Sequence, residues 1–148
     1  MDFVTALRTC FGKYVTFGGR ARRSEYWYFI LFVVLGNLAT GFLDDGLGTS
    51  GALNAVFSLG VLLPQIAVSV RRLHDTGHSG WWLLGCLGPA TILGIGVVIE
   101  SMGFRLLAGV LMAALGITLL IWLCRAGDAG PNRFGASPIA TLTAPWPG

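Results

Sequence analysis

The sequence predicts an all-α membrane protein, with four transmembrane helices and an N-terminal amphipathic interfacial helix. Three observations carry this. Of 148 residues, 54% are hydrophobic and only 11% charged, and mean hydropathy is +0.72. Soluble domains carry about 25% charged residues, so a water-facing surface this poor in charge would self-associate. Four apolar runs, residues 26–43, 52–70, 81–99 and 106–123, have the length of bilayer crossings. As helices they reach roughly 27–28 Å, close to the hydrocarbon thickness. Finally, nine of the ten Lys and Arg fall at one end of this arrangement.

From Asp2 to Thr16, apolar residues recur at Phe3, Val4, Leu7, Cys10, Phe11, Tyr14 and Val15. That three-four spacing is an amphipathic helix. It is too polar to span, so it is expected in the interface with its apolar face down; packing on the protein's own core is the alternative. Arg8, Lys13, Arg20, Arg22 and Arg23 interrupt the N-terminal region, which therefore does not read as a cleavable signal peptide.

Gly18-Gly19 ends the first helix. Ser24 is expected to cap the second, with Glu25 at its positive end. Tyr26-Trp27-Tyr28 reads as an aromatic anchor at headgroup level. Asp44 to Gly51 reads as a polar loop. Within it Gly46-Leu47-Gly48-Thr49-Ser50-Gly51 matches GxGxxG, but it follows a membrane helix and not a strand, which excludes a dinucleotide fingerprint. The second span carries Pro64, expected to kink it, and Gln65, which needs a partner. Gly88-Pro89 is expected to kink the third span. The small pairs Ala90/Gly94 and Gly109/Ala113 offer close-packing faces. Residues 1–135 form a single membrane domain on this reading, and residues 136–148 a loosely ordered tail.

Four crossings place the N-terminus, the Arg71–Gly80 loop and the C-terminus on one side. Only Arg105 lies opposite, beside Asp44, Asp45 and Glu100. The positive-inside rule makes the nine-cation side, and both termini, cytoplasmic. The net charge of +3 belongs to residues flanking apolar runs, so membrane lipids are the expected anionic partner and nucleic acid is not. The three cysteines are widely spaced and give neither a disulfide framework nor a CxxC metal motif.

The densest polar stretch is Arg71-Arg72-Leu73-His74-Asp75-Thr76-Gly77-His78-Ser79-Gly80-Trp81-Trp82, which reads as a membrane-surface loop. Arg22, Arg23, Arg71, Arg72 and Arg133 are candidates for an anion or headgroup site, because guanidinium forks match phosphate oxygens. Salt bridges that pin the loops, with Glu25 and Asp75 as counter-charges, are the other reading. His74 is expected to bond a carbonyl or Asp75, and Asp75 to cap Gly77 or the next helix. Asn132 belongs to the turn-rich Gly130–Gly135 segment. His74 and His78 have helical metal-pair spacing, but Gly77 and Gly80 argue for a turn and no third ligand is near, so no metal and no cofactor is called for. A His–Asp pair without a nucleophile gives no catalytic set. Asn37, Asn54 and Gln65 are intramembrane polar residues, expected to hydrogen-bond between helices or to mark a pathway.

Three fragments together carry a resemblance. They are Phe17-Gly18-Gly19-Arg20-Ala21-Arg22-Arg23-Ser24-Glu25-Tyr26-Trp27, the Arg71–Trp82 stretch, and Gly130-Pro131-Asn132-Arg133-Phe134-Gly135. In this order they resemble the YhaH-like bacterial inner-membrane family, a domain of unknown function. The resemblance implies a multi-span inner-membrane protein and no established activity. Ala136-Ser137 departs from the Pro-Asp-like pair expected before Pro138, and His78 stands where varied polar residues are expected. Three functional classes remain at this stage. One is a non-enzymatic component binding anionic lipid or a partner membrane protein. The others are a small oligomeric transporter or channel, and an enzyme acting on lipid headgroups.

Overall fold

The computed structural model describes residues 1–139. Helix α1 is Phe3–Gly12, α2 is Arg23–Leu47 and α3 is Ala52–Asp75. A 3-10 segment, Gly80–Cys86, leads into α4, Leu87–Val98, and α5 is Met102–Cys124. Among the described residues there is no strand. Four stretches are long and apolar enough to cross a membrane: Arg23–Leu47, Ala52–Asp75, Gly80–Val98 and Met102–Cys124. At most 22% of the most apolar window of any of them is buried within the chain. Phe42, Val56, Leu59 and Val98 are all more than two-thirds exposed. Such a surface needs lipid as its solvent.

Helix α1 begins where Asp2 caps it, accepting from Thr5 N at 3.3 Å. It buries Ala6 and Cys10 and sets Phe11 edge-on against Phe29 and Phe32 of α2. Phe3, Val4 and Val15 stay exposed. The helix stops at Gly12, four residues short of the expected end. Beside the segment that follows, α3 continues through Pro64. Proline has no N–H, so the Gly60 carbonyl loses its helical donor, and Tyr14 Oη donates to that carbonyl at 2.5 Å.

Helix α2 starts at Arg23, with Arg22 as an N-cap that makes no side-chain hydrogen bond. Ser24 is thus inside the first turn and does not cap it. The expected 44–51 loop is shorter than its composition suggests. The helix runs to Leu47, and Gly48, at φ 67°, takes the left-handed cap conformation. Asp44 is buried and accepts from Thr49 Oγ1 and from the backbone N–H groups of Leu53 (3.0 Å) and Asn54 (2.9 Å). One carboxylate thereby caps α3 from the end of α2.

Helices α2 and α3 form a close pair. Gly36 lies under the Phe57 ring, where a Cβ would come within 2.1 Å of Cζ. Asn54 Nδ2 donates to the Asn37 carbonyl (3.0 Å) and Thr40 Oγ1 (3.0 Å), and Ser58 Oγ to Asn37 Oδ1 (2.9 Å). These polar residues satisfy one another between helices, the first of the two roles expected of them. Gln65 has no side-chain partner among the described residues.

Helix α3 is longer than its apolar run and absorbs Arg71 to Asp75, so the first half of the presumed surface loop is helical. In the third span the backbone changes from 3-10 to α at Cys86–Leu87, which places Pro89 in the first turn of α4, where proline is tolerated. Helices α4 and α5 approach each other at Gly96, whose missing Cβ would sit 2.8 Å from Phe104 Cβ. The expected small-residue faces do not pack within the chain. Nothing lies within 4 Å of a Cβ placed at Gly94 or Gly109, and Ala90 and Ala113 are exposed.

Candidate functional site

The three polar segments converge at the Asp75 end of α3. Backbone hydrogen bonds hold the first and last of them against α3. Residues 13–22 wrap across α3, and Ala21 N donates to the Arg71 carbonyl at 3.0 Å. Beyond α5, Asp128 N donates to the Asp75 carbonyl at 2.8 Å, holding the final segment against the helix end.

Arg71 and Arg72 are adjacent, 1% and 0% exposed, and face opposite tasks. Arg71 Nη2 donates to Glu25 Oε1 at 2.8 Å, and Nη1 to the carbonyls of Thr16 (2.9 Å) and Lys13 (3.3 Å). It therefore ties the segment after α1 to the start of α2. Its Nε has no partner among the described residues. Arg72 Nε donates to the Leu123 carbonyl at 3.1 Å, Nη2 to the Arg125 carbonyl and Nη1 to Asp75 Oδ2. It ties α3 to the end of α5.

Asp75 is 3% exposed and lies between two guanidinium groups. Opposite Arg72, Arg20 Nε donates to Asp75 Oδ1 at 2.8 Å. Arg20 also donates to the carbonyls of Gly130 (2.7 Å) and Asp128. Gly127 passes so close that a Cβ there would meet Asp75 Oδ2 at 1.9 Å. Asp75 thus caps neither Gly77 nor the next helix; two arginines claim it.

Asn132 Nδ2 donates to the His74 carbonyl (2.9 Å) and to Asp128 Oδ2 (2.8 Å), while its Oδ1 accepts from Phe134 N (3.0 Å). This locks the Gly130–Gly135 turn onto α3. His74 Nδ1 is 3.2 Å from the Gly19 carbonyl, and the ring stacks on Phe134 at 3.9 Å and 3°. His78 stacks on Trp122 at 3.8 Å, so the two imidazoles attend different partners. Arg133 Nη2 donates to the Gly77 carbonyl at 3.1 Å and lies over Phe134.

Of the expected anion-binding arginines, Arg71 and Arg72 are interior and engaged. Arg22 Nε donates to the Pro138 carbonyl at 2.8 Å. Arg23 is exposed and has no hydrogen bond or ion pair among the described residues. Arg22, Arg23, Ser24, Arg72, Asp75 and Gly127 line a cleft of about 580 Å³ at the start of α2. Residues 140–148, in the expected loose tail, lie outside the described residues. Arg20, Gly127 and Asp128 are the members that sequence reasoning missed. Arg20 stands within a recognised fragment, but nothing in a run of three arginines, Arg20, Arg22 and Arg23, tells which one is buried.

Cys10 Sγ lies 3.9 Å from Glu25 Oε1. Burial pushes its thiol up to about 12, with the Glu25 charge adding to the effect.

Residues 14–136 match the family model described as protein of unknown function (DUF805). The chain is 38% identical to inner membrane protein YhaH of Escherichia coli (strain K12) over 131 residues, 85% of this chain and 89% of that one. It is 33% identical to inner membrane protein YhaI of the same strain over 127 residues, 85% and 88% of the two chains. To the protein YiiR of that strain it is 31% identical over 130 residues, 81% and 84% of the two. No solved structure matches. Four apolar crossings and these relatives make this a multi-pass inner membrane protein, and the chain belongs to the DUF805 family.

Proposed function

We propose that this protein is a non-enzymatic membrane component whose cytoplasmic face holds an anionic phospholipid headgroup in the Arg22–Arg23 cleft. The observation that carries this reading is the pairing of an unengaged Arg23 with the uncapped N-terminus of α2, in one cleft beside Arg22. The first N–H groups of α2 lack side-chain acceptors there, and the helix dipole adds positive potential. Asp75 lines the same cleft, but Arg20 and Arg72 already offset its charge.

Orientation supports the idea. Nine of the ten cations lie at the end of the bundle that bears the cleft, and anionic lipid attracts cations at the cytoplasmic surface. The interfacial reading of α1 fits as well. It packs beside the first turns of α2, and its exposed Phe3, Val4 and Val15 would enter the acyl boundary. The Asn37–Asn54–Ser58 cluster is spent between α2 and α3 and supports no transport path.

The test is lipid retention through purification in mild detergent. The unaltered protein should keep anionic phospholipid, and an Arg22→Gln/Arg23→Gln variant should lose it. At about 1 kcal/mol per surface arginine, the pair should weaken binding roughly thirtyfold, less at high salt. Unchanged retention in a folded variant removes the reading.

A further inference from the structure

A second cavity lies on the other side of α3 from the Arg22–Arg23 cleft. It encloses about 490 Å³, within the range of small-molecule sites. All three family fragments build it. Phe17 comes from the first, His74, Ser79 and Trp81 from the second, and Phe134 from the third. Ile66, Val70 and His74 of α3 line it at four-residue spacing, one stripe of the helix. At about 100° per residue that stripe is roughly opposite Arg72 and Asp75, so this cavity is independent of the headgroup cleft.

Its walls have a definite chemistry. Four ring side chains, Phe17, His74, Trp81 and Phe134, line it. The His74–Phe134 stack makes one flat wall. Gly80 closes another, lying so near α3 that a Cβ would meet Val70 Cγ1 at 2.6 Å. Polarity runs along its length. His74 and Ser79 stand at the loop end, and Ile66 lies two turns deeper, about 12 Å into the leaflet. Trp81 and Leu84 are exposed toward the apolar exterior.

His74 supplies a directional acceptor, beside the Ser79 hydroxyl. Gly19 offers a carbonyl, which only accepts, so the Nδ1 facing it carries the proton. Nε2 is then a lone-pair acceptor, and it has no partner among the described residues. A planar ring fits among the four ring side chains, a hydroxyl donor meets Nε2, and an aliphatic tail suits the deep end.

We infer that this cavity is a binding site for a membrane-soluble amphiphile with a hydroxylated aromatic head, a tailed hydroquinone or phenol. The head lies among Phe17, His74, Trp81 and Phe134, its hydroxyl donates to His74 Nε2, and the tail follows Ile66 and Leu84 toward lipid. Calorimetric titration of the full chain in detergent micelles, with protein-free micelles subtracted, tests this with three probes. They are 2-decylhydroquinone, its dimethyl ether and dodecanol. The hydroquinone should bind saturably at one site, and the ether, which cannot donate, about fivefold to tenfold more weakly. Dodecanol should show only partitioning. Leu84→Trp, a filling change at a half-exposed position, should abolish saturable binding. Equal affinity for hydroquinone and ether, saturable binding of dodecanol, or undiminished binding by a folded Leu84→Trp protein would each overturn the inference. The probe comparison stands on the unaltered protein even where the variant fails to fold.

Discussion

Asp75 shows what one buried carboxylate does among arginines. Two charges of one sign, Arg20 and Arg72, are 7% and 0% exposed, and their shared counter-charge is Asp75. Removing one member of a buried set leaves the others uncompensated, at about 3–5 kcal/mol. Asp75→Asn should therefore lower the thermal unfolding midpoint in detergent sharply, and adding Arg20→Gln should restore part of the loss. A catalytic role for Asp75 would show no such rescue, so recovery on the double change separates the two. Cys10 offers a second test at this scale. Its thiol titrates near 12, against an ordinary 9.0. The folded protein should resist alkylation at Cys10 at pH 8, and react faster only as pH climbs toward 12, as mass spectrometry would report. The raised pKa also fixes the sign of the stability effect. The contribution is whole below pH 9 and is lost as the unfolded thiol ionises between 9 and about 12.

At the scale of elements, a proline in one helix gives a neighbouring segment its hydrogen-bond acceptor. Pro64 frees the Gly60 carbonyl and Tyr14 answers it, so the segment that follows α1 is tied to α3. Tyr14→Phe should cost about 1 kcal/mol. With Pro64→Ala, residue 64 regains its N–H and the Gly60 carbonyl a helical donor. Tyr14→Phe should then cost less, and unfolding midpoints across the four proteins should reveal the coupling. Additive losses would mean that Tyr14 serves only as packing. The same accounting of carbonyls and N–H groups explains why α2 and α3 outrun their apolar stretches. Asp44 bonds the start of α3, while Arg71, Arg72 and Asp75 find partners in the first and last segments. Polar residues that mark a loop in sequence continue a helix once those partners exist.

At the scale of the whole molecule, three polar segments far apart in sequence close over one end of a four-helix membrane body. The opposite end holds Asp44, Asp45, Glu100 and Arg105. This asymmetry predicts the topology by labelling. In a cysteine-free background, single cysteines at Ser79 and Ser50 should react with a membrane-impermeant maleimide from opposite sides, Ser50 from outside intact cells and Ser79 only after permeabilisation. Labelling of Ser79 from outside would reverse the orientation and remove the cytoplasmic headgroup reading with it.

The amino-acid sequence by itself determined the four crossings, the N-terminal helix and the family, because apolar length, helical period and three short motifs are local properties. Bilayer thickness turns the first of these directly into architecture. Which arginine is buried was decided by tertiary structure alone. Arg20, Arg22, Arg23, Arg71 and Arg72 are chemically identical in the chain, and what distinguishes them is the set of partners each meets, the carboxylates of Glu25 and Asp75 and the carbonyls of residues 13–16 and 123–138. The same is true of Gly127, whose missing side chain matters because Asp75 lies against it. It is true of the ring-lined cavity too, whose walls come from residues 17, 74, 81 and 134. Burial of a charge depends on partners distant in sequence, and no local pattern names them in advance.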